Sequence, residues 1–175
     1  MDANGNLTDL SEFDGSRRIR LVSYMDENLA VGGFGGGLGG WYKLGIHHLS
    51  AGNPDQTLFL ANGAGPGAFS LAWVAAPGNY VSWEGQGSDG ALLLEPLAAN
   101  NDPHPVGQDG DRIPLPQFTV DFVDGPWFAL NDTRKDNVFD CSGSGQDEGN
   151  PIIPYHWNGG DNQRWRAATR GPGLG

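Results

Sequence analysis

Turn chemistry interrupts this chain so often that no long helix fits in it. Its 175 residues include 29 glycines and 12 prolines, about double the usual share of the two, and both are poor in helix interiors. Between the turns, apolar and β-branched residues recur with the two-residue period of strands. Such runs lie at 19–24, 29–31, 41–48, 56–60, 69–74, 80–83, 92–94, 118–122, 127–130, 138–140, 152–157 and 164–167. The separators include Asp26-Glu27-Asn28, Pro77-Gly78-Asn79 and Gly159-Gly160-Asp161, residue types that tolerate or pre-set the dihedrals of tight turns. Six tryptophans, four tyrosines and eight phenylalanines supply enough apolar bulk for a core, so one folded all-β domain over 1–175 is expected.

About twelve short strands invite a search for repeats. Asn28-Leu29-Ala30-Val31, Asn79-Tyr80-Val81-Ser82 and Asn137-Val138-Phe139-Asp140 each open a strand just after a turn. Gln56-Thr57-Leu58, Gln117-Phe118-Thr119 and Gln163-Arg164-Trp165 each close a unit in a polar-then-apolar pattern. Three four-strand repeats, roughly 17–67, 68–124 and 125–170, predict a closed threefold barrel with a hairpin cap, the β-trefoil. Closure leaves no strand edge exposed.

The charge narrows the partners. Ten basic against 21 acidic residues give a net −11, a surface that repels phosphate backbones and anionic lipid. No apolar run approaches the roughly 18 residues needed to span a bilayer, so neither nucleic acid nor membrane insertion is expected. The first ten residues, MDANGNLTDL, lack the pattern of a signal peptide. A single cysteine, Cys141, excludes an internal disulfide and a Cys-based zinc cluster. A cytoplasmic or leaderless location fits both features.

Several motifs carry less than they suggest. The glycine run 32–40 has the composition of a phosphate loop, but Trp41-Tyr42-Lys43-Leu44 after it reads as strand, not helix. His47 and His48 are adjacent, so they face opposite ways in a strand and make a poor metal pair. Asp102, Asp109 and Asp111 lack the spaced oxygen donors of a calcium loop. Ser142 and Ser144 do not form a nucleophile elbow, and Asp147-Glu148 has no opposing carboxylate for glycosidic cleavage. No enzyme, cofactor or metal is expected.

The third unit reads NVFDCSGSGQDEGNPIIPYHWNGGDNQRW, from Asn137 to Trp165. An early Asp, a mid-repeat aromatic and N-G-G-x-N-Q-x-W together resemble a repeat of the ricin-B-type lectin family, whose hallmark is Gln-x-Trp. The resemblance implies a sugar site residue by residue. Asp140 occupies the family's sugar-binding Asp position, Tyr155 the stacking aromatic, and Asn162 and Gln163 the polar pair before Trp165. It also implies a galactose or N-acetylgalactosamine ligand. Val31 and Ser82 stand where the first and second units would need the Asp, so at most one such site is expected. A cysteine pair common in the family is replaced here by Val138 and Trp157, an apolar pair expected to fill the same space.

The chemistry is independently sensible. A pyranose has a C–H face that an aromatic ring covers and an edge of hydroxyls that a carboxylate accepts from and an amide donates to. So small a site implies affinity near the millimolar level, about −4 kcal/mol, with avidity from clustered glycans or a homodimer. Alternatives stay open at individual residues. Asp140 has the residue type of a turn cap, and Gln163 has a core role in the family. Strand alternation sets Tyr155 and Trp157 on one face and His156 on the other, so His156 is a second candidate to stack.

The expected function is a non-enzymatic lectin for terminal galactose or N-acetylgalactosamine on glycans or glycoproteins. The alternative is a trefoil protease inhibitor or other protein binder acting through a long loop, 98–114 or 32–40. Read from the sequence, Asp140→Ala abolishes lactose binding and leaves the melting temperature nearly unchanged. Protease inhibition would instead survive that change and fail on loop deletion.

Overall fold

A computed structural model describes residues 1–35, 42–50, 54–63, 67–86, 89–96, 117–133, 137–171 and 174. The strands are β1 (Arg18–Ser23), β2 (Leu29–Phe34), β3 (Tyr42–His48), β4 (Phe59–Gly63), β5 (Phe69–Trp73) and β6 (Asn79–Gln86), followed by β7 (Leu92–Pro96), β8 (Phe118–Asp124), β9 (Trp127–Asp132), β10 (Val138–Cys141), β11 (Ile152–Tyr155) and β12 (Trp165–Ala168). No helix among the described residues is long and apolar enough to cross a membrane.

Hydrogen bonding closes the sheet on itself. β1 pairs with β4, β4 with β5, β5 with β8, β8 with β9, β9 with β12, and β12 with β1 again. This is a six-stranded barrel with no free edge among its members. The other six strands form the hairpins β2–β3, β6–β7 and β10–β11. Each hairpin hangs from its barrel strand through one ladder contact, β1–β2, β5–β6 and β9–β10. The architecture is the β-trefoil.

The barrel is filled from all sides by apolar side chains. Phe59, Phe69, Phe118, Phe128 and Trp165 are each less than 2% exposed, and Phe139 of the third hairpin meets Phe118 edge-on at 5.5 Å. Beside Phe118 and Trp165 the flanking Gln117, Thr119, Arg164 and Arg166 are at least partly exposed, the period-two pattern of the sequence made physical, whereas Phe139 lies between the buried Val138 and Asp140.

Two runs differ from the sequence reading. The run 56–60 does not open as strand: Pro54–Thr57 is a 3₁₀ turn and β4 begins at Phe59. The turn is fixed locally, with the Thr57 hydroxyl donating to the Pro54 carbonyl at 2.9 Å, and Trp73 Nε1 donating to the Gln56 carbonyl at 2.9 Å. The closing strand of the third unit is likewise preceded by a 3₁₀ turn, Asp161–Gln163, so the two units keep the same device. The run 152–157 stops at Tyr155. Trp41, residues 36–40 of the glycine run, the loop 98–114 and the carboxylates Asp102, Asp109 and Asp111 lie outside the described residues.

The N-terminal segment contributes to the core from outside the twelve strands. Leu7 N–H donates to the Ala167 carbonyl at 2.9 Å. A 3₁₀ turn at Leu10–Glu12, capped by Asp9, then delivers Phe13 among the barrel aromatics. Its ring stacks on Phe69 at 4.6 Å and meets Phe128 edge-on at 5.7 Å.

Loss of that plug should be expensive. Phe13→Ala removes a side chain only 3% exposed, and unfolding in urea should report a loss of about 3–5 kcal/mol. A change below about 1 kcal/mol, the level of an ordinary surface substitution, would show that the segment merely lies on the barrel.

Candidate functional site

The third hairpin places Asp140 and Tyr155 on one face. The register sets Asp140 opposite Ile153 and Val138 opposite Tyr155, so the carboxylate and the ring are diagonal neighbours across two strands. Such neighbours stand about 7–8 Å apart, within reach of one small ligand. Asp140 is recessed, 4% exposed, whereas Tyr155 is 42% exposed.

The closing turn supplies the carboxylate's partners. Asn162 Nδ2 donates to Asp140 Oδ1 at 3.0 Å and Gln163 Nε2 to Asp140 Oδ2 at 2.8 Å. Asp140 therefore takes side-chain amides from across the unit instead of capping its own turn, and each oxygen keeps further lone-pair capacity. Burial raises the Asp140 pKa above the ordinary carboxylate value. The Gln163 and Asn162 hydrogen bonds and the charge on His156 pull the other way.

Gln163 is a positioning residue, which corrects its assignment as a sugar contact. It is fully buried. Its Nε2 also donates to the His156 carbonyl at 2.8 Å, and its Oε1 accepts from Asn158 N–H at 2.8 Å. Both amide hydrogens are thus engaged, leaving none for a ligand. Two residues on, Trp165 Nε1 donates to the Phe139 carbonyl at 3.0 Å. Gln-x-Trp is therefore a two-point grip on β10, one point on the side chain of Asp140 and the other on the backbone before it.

Asn162 stands half-buried at the edge, and its second amide hydrogen goes to the Cys141 carbonyl at 3.1 Å. To donate to a ligand it must exchange one of these bonds. The Asn158-Gly159-Gly160 turn shapes this edge. Gly159 has φ +79°, and a Cβ on Gly160 would lie 2.5 Å from Asn162 Oδ1 and 2.9 Å from Asn158 Oδ1, so neither position admits a side chain without distortion.

The alternation expected through Trp157 fails because β11 ends at Tyr155. Tyr155, His156 and Trp157 are all exposed, and the Tyr155 and His156 rings lie 4.2 Å apart at 33°. Trp157, 40% exposed, does not form the expected interior pair with Val138, which is buried.

The sequence reading gave no role to the carboxylate that locks this unit to the first. Glu148 Oε1 lies 2.7 Å from His47 Nδ1, and Glu148 Oε2 accepts from His48 N–H at 2.7 Å. His47 also reaches the Gly33 carbonyl through Nε2 at 3.0 Å and stacks on Phe34 at 3.7 Å. His48 Nε2 meets the Gln146 carbonyl at 2.7 Å. Partners about 100 residues apart in the chain leave no local signal, although a Glu in a turn facing a His-His strand end was open to view.

The matching positions of the other hairpins differ. Val31 lies opposite Ile46 with His48 opposite Leu29, and Ser82 lies opposite Leu93 with Glu95 opposite Tyr80. Neither hairpin pairs a carboxylate at the Asp140 position with an exposed ring at the Tyr155 position.

No protein-family model and no curated protein sequence matches the chain. Solved structures do. A designed threefold-symmetric protein, ThreeFoil, aligns at TM-score 0.64 and 19% identity over 86% of this chain and 97% of its own. A ricin B-like lectin of Macrolepiota procera, solved with lactose, aligns at TM-score 0.62 and 15% identity over 89% and 96%. An exo-β-1,3-galactanase from Clostridium thermocellum aligns at TM-score 0.65 and 12% identity over 87% of this chain but 30% of its own. These likenesses show the fold.

The geometry corrects the expectation for Asp140→Ala. Removing a carboxylate that accepts from two amides strands buried donors, so the variant should lose about 1–3 kcal/mol in urea unfolding. The pH dependence gives a sharper check. With the native pKa raised, the folded chain binds more protons than the unfolded one between the ordinary carboxylate value of 3.8 and the raised value. This group's contribution to stability is thus fully present below the ordinary value and falls as pH rises through that window. Asp140→Asn removes this fall, so the stability difference between parent and variant should move in the variant's favour as pH rises. A difference that stays flat with pH would contradict the assignment.

Proposed function

We propose that this β-trefoil is a carbohydrate-binding module of lectin type, with a single site in the third unit for a terminal galactose or N-acetylgalactosamine residue. The observation that carries the reading is the recessed Asp140 carboxylate, held by Asn162 and Gln163, on the face that presents the exposed Tyr155 ring. A hexose meets these groups in two ways at once. Its C–H face lies against the Tyr155 ring, and two neighbouring hydroxyls turn edge-first into the recess to donate to Asp140. Charge-assisted hydrogen bonds of this kind are roughly twice as strong as neutral ones, so Asp140 governs affinity.

The structural likeness to a ricin B-like lectin solved with lactose supports the reading, as does the Gln-x-Trp resemblance. We read the module as a binder without catalysis of its own. One open site gives millimolar affinity, about −4 kcal/mol, so useful attachment comes from clustered glycans on glycoproteins or from two copies of the chain.

Isothermal titration with lactose tests this directly. The parent should bind with a millimolar dissociation constant, and Asp140→Asn should lose measurable binding while remaining folded. Tyr155→Ala should weaken binding by about tenfold, the worth of a good ring contact. Binding should also fade on acidification with a midpoint above the ordinary carboxylate value of 3.8, because protonation removes the charged acceptor. Undiminished binding by Asp140→Asn would overturn the site.

A further inference from the structure

Trp157 is the exposed group that the hexose site leaves unexplained. Among the described residues the large apolar side chains standing in solvent are Met1, Val123, Tyr155 and Trp157. Two of the four thus lie two residues apart, and the first of them shares a face with the recessed carboxylate. At 40% exposed, the indole leaves apolar ring surface open to a ligand.

The backbone on both sides of this indole is clamped. Gln163 Nε2 grips the carbonyl of His156 and Gln163 Oε1 grips the N–H of Asn158, each at 2.8 Å. Trp157 sits between those two clamped residues. The same Gln163 amide holds Asp140 at 2.8 Å, so the backbone carrying the exposed indole and the recessed carboxylate are registered to one buried group. Such an arrangement is pre-organised, which limits the ordering cost of binding.

We infer that Trp157 forms a second stacking surface, so that the site takes a disaccharide or longer glycan, with the terminal hexose on Tyr155 and the next sugar ring on Trp157. This rests on the hexose reading above and extends it. A saccharide is the occupant because the Asp140 recess accepts hydroxyls and the exposed Tyr155 and Trp157, two residues apart, offer ring faces to successive sugars. The second ring adds contact without further hydrogen bonds, so it selects for chain length more than for the identity of the second sugar.

The test compares galactose with lactose on the full chain by titration calorimetry, in the parent, Trp157→Ala and Trp157→Phe. The parent should bind lactose about threefold to tenfold more tightly than galactose, the range of one aromatic contact. Trp157→Ala should bring lactose down to the galactose level and leave galactose within about twofold, and Trp157→Phe should keep most of the preference. The inference fails if the parent binds both sugars equally, if Trp157→Ala keeps the parent's ratio, or if it weakens both sugars alike. A parent that binds neither sugar would overturn the hexose reading itself and this extension with it, a result distinguishable from the other three.

Discussion

One buried side-chain amide decides where the chemistry of the third unit can stand. Gln163 makes three hydrogen bonds of 2.8 Å, to the Asp140 carboxylate, the His156 carbonyl and the Asn158 N–H. It thereby joins the opening strand, the exposed aromatic strip and the glycine turn into one rigid piece. Removing any of these partners would leave a buried polar group unmatched, and in a low-dielectric interior that is costly. The rest of the fold positions this amide, with β12 paired to both β1 and β9 to close the barrel and Trp165 locking the turn to Phe139.

Recessing the carboxylate has an electrostatic consequence. In an acidic protein of net charge −11, a fully solvated Asp would differ little from the other surface carboxylates. Burial raises the pKa of Asp140, and it also removes competing water, which strengthens each hydrogen bond the ionised group accepts. The exposed rings then supply what the recess lacks, a broad apolar surface outside it. Recess and strip together are suited to a ligand with a polar edge and an apolar face.

Much of the architecture was legible in the chain, for a physical reason. All twelve strands appear as short apolar or β-branched runs because each places at least one face in the barrel or cap, and turn residues stand between them. The Gln-x-Trp and N-G-G signals were legible because each enforces a local geometry: φ +79° at Gly159, no space for a Cβ at Gly160, and two side-chain grips on β10. What the sequence hid is long-range or depends on where a strand stops. Phe13 plugs the barrel from a segment without strand pattern. Glu148 meets His47 and His48 across 100 residues or more, a pairing no local window contains. Gln163 read as core more readily than as ligand, and its three partners show what it holds in place. Alternation misplaced Trp157 because β11 ends two residues before it.

The central claim is that a hexose is held between the Asp140 recess and the Tyr155 ring, and galactose titrated into ¹⁵N-labelled protein tests it most directly. The account predicts saturable shifts, with a millimolar midpoint, of the Asn162 side-chain amide and of the backbone amides of residues 155–158. The β2–β3 and β6–β7 hairpins should stay unperturbed. Shifts confined to those other hairpins, or a third unit silent at saturating sugar, would contradict it.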